Sequence, residues 1–356
     1  MRRILASMDR FGTYGYDPAG DEGTRRDYHT PHGRRAPLDP IPHEDWVETT
    51  GPTAAGMTAQ RFFACNTVIT LQAFAPHARC CAAFDAARAA CRRYERLFSR
   101  TLPHSDIARL NAAGGQPVSI APETADLLDA ALCYCADSAG RFDVTIGAVT
   151  RLWDFHRGIV PDRESVETAL AHAGRAGLHV WRERESGQAF AQLDDPRAAV
   201  DVGGVAKGWI ADALGNVLAR SGVTAFVVNL GGNVLARGRK PGGAPWRIGL
   251  QDPREKGGVV GTIDLVDASA VTSGVYERCF TRNGVRLHHI LDPATGYPAR
   301  TDAAGVTVVA RRSLDAEGYS TTLLALGIEH GRAFARAHEQ IEAAYFVDEQ
   351  GRMVEA

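Results

Sequence analysis

The sequence predicts an α+β fold, a single domain of mixed, largely antiparallel sheets with packed helices. Three observations predict it. Short β-rich runs cluster between glycine turns as hairpins do, instead of alternating one by one with helices as a doubly wound parallel sheet requires. The order of strands and helices is irregular. No internal repeat and no linker divides residues 61–356.

The elements follow in order. Residues 1–60 are rich in Arg, Asp, Gly, Pro and His without a period of 2 or 3.6, which predicts a disordered or loosely attached extension, so the domain spans 61–356. RFFACNTVITLQAF alternates and is β-branched, predicting the first strand, and HARCCAAFDAARAACRRYERLFSR then reads as a long amphipathic helix. HSDIARLNAAGG carries a Ser/Asp start and a Gly stop; APETADLLDAALCYCADSAG opens with Pro in its first turn and closes on Gly140. AAVDV ends a strand before a helix from about Ala206. TAFVVNLGGNVLARG, PWRIGLQDP, VVGTIDLVDASAVTSG and AAGVTVVAR are β-rich runs broken by glycines. A helix over STTLLALGIEHGRAFARAHE and a last strand at AAYFVDEQG complete the domain.

Composition excludes several function classes. Over 356 residues the net charge is −2 and Lys/Arg are scattered, which argues against a nucleic-acid binder. No apolar run reaches the ~18 residues that span a bilayer. The start MRRILASMDRFG is a poor signal peptide and no lipid-bearing cysteine follows, so a cytoplasmic location is expected. The 7 cysteines are an odd count, several within apolar helical patterns, and are expected to be core thiols in a reduced compartment rather than a disulfide framework or zinc site.

DVGGVAKGWIAD (201–212) looks like a phosphate loop but fits neither common pattern. GxxxxGK[ST] fails because Lys207 precedes Gly208 and Trp209 follows; GxGxxG fails because Gly203 and Gly204 are adjacent. What remains is a strand end, a glycine pair that lets main chain approach a ligand, and a helix start whose amides attract anions, with Lys207 adding charge. NLGGN at 229–233 and VTSGVY at 271–276 are further clusters at strand ends. In HHILDPATGYPA (288–299), Asp292-Pro293 and Thr295-Gly296 force a turn that leaves the histidines at a strand terminus. Glycine, hydroxyl and histidine clusters at several strand ends of one domain point to a shared ligand site.

Taken in order, FSRTLPHSDIARLN, GRFDVTIGAVTRLWDF, VDVGGVAKGWIAD, NLGGN, WRIGLQDPR, AVTSGVYERCF, HHILDPATGYPA and EGYSTTLLALG resemble the ApbE family of FAD:protein FMN transferases. The resemblance runs from about RFFACNT to the last strand. It implies magnesium-dependent transfer of the FMN half of FAD to a Ser or Thr hydroxyl of an acceptor flavoprotein, with AMP leaving. By the resemblance, Gly204 (through its carbonyl), Glu317 and Thr321 hold Mg2+. The FAD contacts fall on Cys65, Thr101, Arg141, Phe142, Asp143, Asp201, Lys207 and Leu291. His289 is the proton acceptor or its orienter, with Thr272 and Ser273 close by. A spacing of four puts Glu317 and Thr321 on one helix face, so both can point at one ion, and magnesium prefers oxygen ligands.

Several positions depart from the family pattern. Cys65-Asn66-Thr67 stands for Met-Gly-Thr, Thr101 for a tyrosine, Asn233 and Val275 for aspartates, and Glu317 for the magnesium aspartate. Two alternatives therefore stand beside the transferase: an FAD pyrophosphatase releasing FMN and AMP, and a non-catalytic flavin-binding protein. The identity of the acceptor and the oligomeric state are left open by the sequence.

Overall fold

The computed structural model describes residues 39–356, Lys256 excepted. Residues 1–38, most of the expected extension, lie outside the described residues. In chain order the elements are β1 (Val47–Thr50), β2 (Met57–Ala64), β3 (Thr67–Phe74), α1 (His77–Phe98), α2 (Asp106–Ala112), β4 (Val118–Ile120), α3 (Pro122–Asp137), the single turn α4 (Gly147–Thr150) and α5 (Arg163–Leu170). There follow β5 (Leu178–Arg182), β6 (Ala189–Leu193), α6 (Ala206–Arg220), β7 (Phe226–Leu230), β8 (Asn233–Arg237), β9 (Trp246–Gln251), β10 (Val259–Leu265), β11 (Ala268–Gly274), β12 (Cys279–Arg282) and β13 (Val285–His288). Last come β14 (Ala303–Ala310), α7 (Ser313–Ala337), β15 (Ala343–Asp348) and β16 (Met353–Glu355).

A nine-stranded sheet in the order β1-β2-β3-β7-β8-β11-β14-β15-β16 forms the centre, with every strand pair antiparallel. The fold is thus α+β with antiparallel sheets, as the sequence predicts. A three-stranded sheet β4-β6-β5 and the hairpins β9-β10 and β12-β13 flank it. β2 alternates strictly between half-buried and buried residues because one of its faces meets the core, while all eight residues of β14 are buried, as a central strand covered on both faces requires. One face packs α1, α6 and α7 into the main core around Phe62, Leu71, Phe84, Leu214, Phe226 and Phe346. The β9-β10 hairpin covers the other face, with Trp246 and Leu265 against Val227, Val234 and Val309.

The domain begins earlier than expected. β1 and the first half of β2 precede Arg61, and Val47 to Thr50 pair with Phe62 to Ala59. Gly51, Pro52 and Gly56 between the two strands conceal their continuity in the sequence, although β2 itself keeps period 2.

Local signals account for the helices. Ser105 caps α2 by accepting from the Ala108 amide at 2.9 Å, and Pro122 is in the first turn of α3. α7 starts earlier than the predicted segment and kinks at Gly327, where the Asp302 carboxylate accepts from the Ile328 amide at 2.8 Å. α6 crosses α7 at Gly208: an added Cβ there would lie 2.6 Å from the Ser313 carbonyl oxygen and 2.8 Å from the Leu314 Cα. That close approach brings the start of α6 against the first turns of α7.

Among the described residues the cysteines are unbridged; Cys80, Cys91 and Cys135 are buried. Cys133 differs from the expectation of core packing, because it falls on the solvent face of α3 and is exposed. No described helix is long and apolar enough to cross a membrane.

Candidate functional site

The strand expected at AAVDV is not formed: between β6 and α6 only a single parallel bridge, Ala199 with Ile146, precedes the segment 201–208 that leads into α6. Asp201 is held by three neighbours: the Thr150 hydroxyl at 3.0 Å and Arg100 at 3.4 Å on Oδ2, and the Gly203 amide at 2.9 Å on Oδ1. The Phe142 ring packs on Gly204, where an added Cβ would stand 2.8 Å from it. No side chain caps α6, whose N-cap is Val205, and the Gly204 carbonyl accepts no backbone hydrogen bond among the described residues. The helix therefore presents unspent amides and a free carbonyl at one place.

Beside it, Lys207 reaches across to α7. Its Nζ lies 2.6 Å from Glu317 Oε1, and Asn233 Nδ2 donates to Glu317 Oε2 at 2.9 Å. Ser313 Oγ donates to Asn233 Oδ1 at 2.7 Å. Glu317 is buried, so its charge is matched by one ammonium and one amide rather than by water. The Thr321 hydroxyl, one turn on, has no hydrogen-bond partner among the described residues.

A second part of the site is the turn 275–278 after β11. Glu277's carbonyl accepts from His289 Nδ1 at 3.0 Å; a carbonyl cannot donate, so Nδ1 carries the proton and Nε2 keeps its lone pair. Burial, Arg278 and Lys207 together push the His289 imidazole down to about 3, so it is neutral. Burial raises the Glu277 carboxyl against the opposing charges of Lys207 and Arg278. Lys207 thus acts on Glu317, Glu277 and His289 alike.

The remaining residues from the sequence reading are distributed as follows. Thr272 and Ser273 point to opposite faces of β11: Thr272 pairs with the Thr307 hydroxyl at 2.7 Å, and Ser273 with the Ser320 hydroxyl at 2.8 Å. Ser273 thereby adjoins Thr321's turn of α7, whereas neither hydroxyl is bonded to His289. Asp143 takes the Thr145 amide and hydroxyl at 2.8 and 2.6 Å and stiffens its own turn. Thr101 is exposed and shares a 3.1 Å hydrogen bond with Ser99. Cys65 sits in the β2-β3 turn, its amide donating to Glu95 at 2.8 Å, and the neighbouring Cys91 thiol, with burial, pushes its own thiol up. Leu291 is buried in a small cluster with Trp153, Val149 and Val166. Arg141 lines a cavity of about 440 Å³ with Asp292, Tyr297, Arg300 and Ala325, the last one turn beyond Thr321. Sequence reasoning missed Asn233's grip on Glu317 and the Glu277 carboxyl. The first lies in NLGGN, already singled out; the second sits three residues past the TSG run, with nothing local to mark it.

The chain is similar to known proteins over most of its length. Residues 65–346 match the model of the ApbE family. An FAD:protein FMN transferase of Treponema pallidum (strain Nichols) is 36% identical over 272 residues, covering 72% of this chain and 75% of the relative. One from Klebsiella pneumoniae (strain 342) is 34% identical over 258 residues, covering 71% and 78%. Among solved structures, the ApbE protein of Thermotoga maritima superposes with a TM-score of 0.75 at 30% identity, covering 83% of this chain and 96% of that one. The flavinyl transferase ApbE of Pseudomonas stutzeri, in its apo form, gives 0.72 at 28% identity over 87% and 94%. With more than half of the sequence matched by the family model and the fold shared with solved members, this chain belongs to the ApbE family.

Proposed function

We propose that the protein is a transferase that moves the FMN half of FAD onto a Ser or Thr hydroxyl of an acceptor flavoprotein, releasing AMP. The observation that carries the reading is the convergence of the uncapped α6 start, Lys207 and Glu317 at the α6–α7 crossing. A pyrophosphate is anionic, and a helix start with free amides beside an ammonium is complementary to it. In this reading the FAD-binding residues are Asp201, Lys207, Arg141, Phe142, Asp143, Cys65, Thr101 and Leu291, with Asp201 held in place by Arg100 and Thr150.

The Gly204 carbonyl, the Glu317 carboxylate and the Thr321 hydroxyl form an all-oxygen donor set suited to magnesium, and two of the three have unspent lone pairs. When bound there, magnesium supplies neutralisation of the charge that builds up as the P–O bond breaks. Glutamate keeps the carboxylate, and Asn233 fixes which way it faces. The chain's own residues do the rest: Lys207 offsets phosphate charge, the glycines admit main chain to the nucleotide, and His289 is the proton acceptor or the residue that orients it. Thr272 and Ser273 hold β11 against β14 and α7 and so support that wall.

The test mixes the protein with FAD, magnesium and a candidate acceptor. Flavin fluorescence on the denatured acceptor together with AMP is the expected result. AMP with free FMN and an unlabelled acceptor gives hydrolysis instead, and no AMP with either acceptor or water refutes the enzyme.

A further inference from the structure

A β-hairpin that joins no larger sheet leaves an unspent main-chain edge on each of its strands. The β12-β13 hairpin is such a pair: no third strand adds to it, and outside its own ladder the main chain of 279–288 makes no hydrogen bond among the described residues. Both of its ends lie at the candidate site. β12 follows the 275–278 turn, β13 leads into His289, and His289 Nδ1 donates to the Glu277 carbonyl at 3.0 Å. Aromatic rings tie the hairpin down. Phe280 of β12 lies 6.1 Å from Phe155, Phe155 stacks on Trp153 at 5.3 Å, and Trp153 meets Tyr297 edge-on at 5.7 Å. Tyr297 lines the cavity of about 440 Å³, so a row of rings connects the hairpin to the cavity wall.

The outer surface of this projection is basic and partly apolar. Arg278, Arg282 and, on the 154–159 loop, Arg157 are exposed and have neither a hydrogen bond nor an ion pair among the described residues. Arg286 approaches Glu349 at 3.7 Å, and Asp154 is spent on the His156 and Arg157 amides at 3.0 and 2.9 Å. In a chain of net charge −2 this is a local excess of positive charge. The register sets Phe280 opposite Leu287 and Arg282 opposite Val285, all four on one face, because alternate residues of a strand share a side. Val285 at 59% exposure and Ile159 at 43% carry that face into solvent. A second copy of the chain does not suit it, since pairing hairpin on hairpin sets arginine against arginine. An acidic strand suits both the open edge and the charge.

We propose that the acceptor protein docks here: an extended, acidic segment adds as a strand to the β12-β13 hairpin, with its carboxylates against Arg282 and Arg286 and its apolar side on Val285, which brings its Ser or Thr hydroxyl to the His289 end. The assignment rests on the transferase reading above. Main-chain pairing sets the direction of the segment and tolerates many sequences, while the arginines select it by charge, so the contact weakens as salt screens exposed charges.

The experiment measures the fluorescence anisotropy of rhodamine-labelled peptides bound to the full chain. The probes are a short peptide of alternating Glu and Val around a central Thr, its counterpart with Gln for Glu, and the acidic peptide with alternate backbone amides N-methylated. The parent should bind the acidic peptide about 10-fold or more tighter than the Gln peptide, less tightly as salt rises, and the N-methylated peptide weakly. Arg282→Glu with Arg286→Glu should lose the acidic peptide by a similar factor and keep FAD affinity within a few-fold of the parent. The assignment is overturned if the double variant binds the acidic peptide as the parent does, if the Gln and acidic peptides bind alike, or if N-methylation changes nothing. Loss of FAD affinity in step with the peptide would place the hairpin in the nucleotide site instead, and self-association of the double variant with peptide affinity unchanged would leave the arginines as guards of an open edge. A random single-stranded oligonucleotide that binds the parent more tightly than the acidic peptide likewise overturns it. A parent that binds the acidic peptide but releases no AMP from FAD and magnesium, with acceptor or with water, overturns the transferase reading, a result separate from all of these.

Discussion

The two halves of the candidate site differ in how completely their polar groups are matched. At the α6–α7 crossing, Glu317 is buried with both oxygens engaged, Lys207 on one and Asn233 on the other, and Asn233 is held in turn by Ser313. On the 275–278 turn, whose groups feel the Lys207 charge, Glu277 has no partner among the described residues and His289 keeps a free lone pair on Nε2. The first half holds its charge still through matched contacts. The second leaves polar groups without partners, which is a cost to the fold.

Removing the lysine is the severest test of the first half. Lys207→Met leaves the Glu317 charge buried with only an amide, and should cost about 3 kcal/mol of stability in chemical denaturation; a cost below about 1 kcal/mol would show that the pair is no more than a surface contact. Next, Gly208→Ala drives a methyl into the Ser313 carbonyl and Leu314 backbone, so the helices must part. About 2 kcal/mol is expected, together with weaker FAD binding by titration, and an unchanged affinity would separate the crossing from the nucleotide site.

The second half is best probed by pH. His289 has its folded-state pKa lowered to about 3 by burial first and Arg278 next, against an ordinary value near 6.5. Between those values the unfolded chain binds a proton that the native one does not, so this residue makes stability fall as pH drops through 6.5 towards 3. His289→Asn should therefore reduce the loss of stability between pH 7 and 5.5 by about 1 kcal/mol; an unaltered pH slope would place the imidazole in water. Smallest in size is Glu277→Gln at pH 8. Because burial raises this carboxyl, its charge is a burden on the native state above the ordinary carboxylate range, and the variant should melt slightly higher than the parent. A lower Tm would mean that Glu277 has a stabilising partner after all.

Much of this architecture was legible in residue patterns. The Ser cap of α2, the Pro start of α3 and the helix from Ala206 are local features, and local features survive folding because they act within a turn or two. The histidine pair also lies at a strand terminus as its Asp-Pro and Thr-Gly turn demanded, since β13 ends at His288. What the pattern missed is non-local. β1 was hidden by Gly51, Pro52 and Gly56, which look like an unstructured lead-in until the register with Phe62 is known. Cys133 read as core because α3 is apolar on more than one side, and only packing decides which side is covered. Glu277 gave no signal, because a half-buried carboxylate is recognised by the absence of partners, and partners come from the whole fold.

The Lys207–Glu317 pair joins residues 110 positions apart in the chain. Joining them requires the intervening β7 to β14 to be in place first, since α7 lies on β11 and β14. Contacts of such long range are slow to establish, and they come late in folding. A chain still emerging from the ribosome, or one cut before residue 317, has the glycine loop but nothing for Lys207 to face. In the reading proposed above, the nucleotide site is therefore completed only once α7 has docked on β11 and β14.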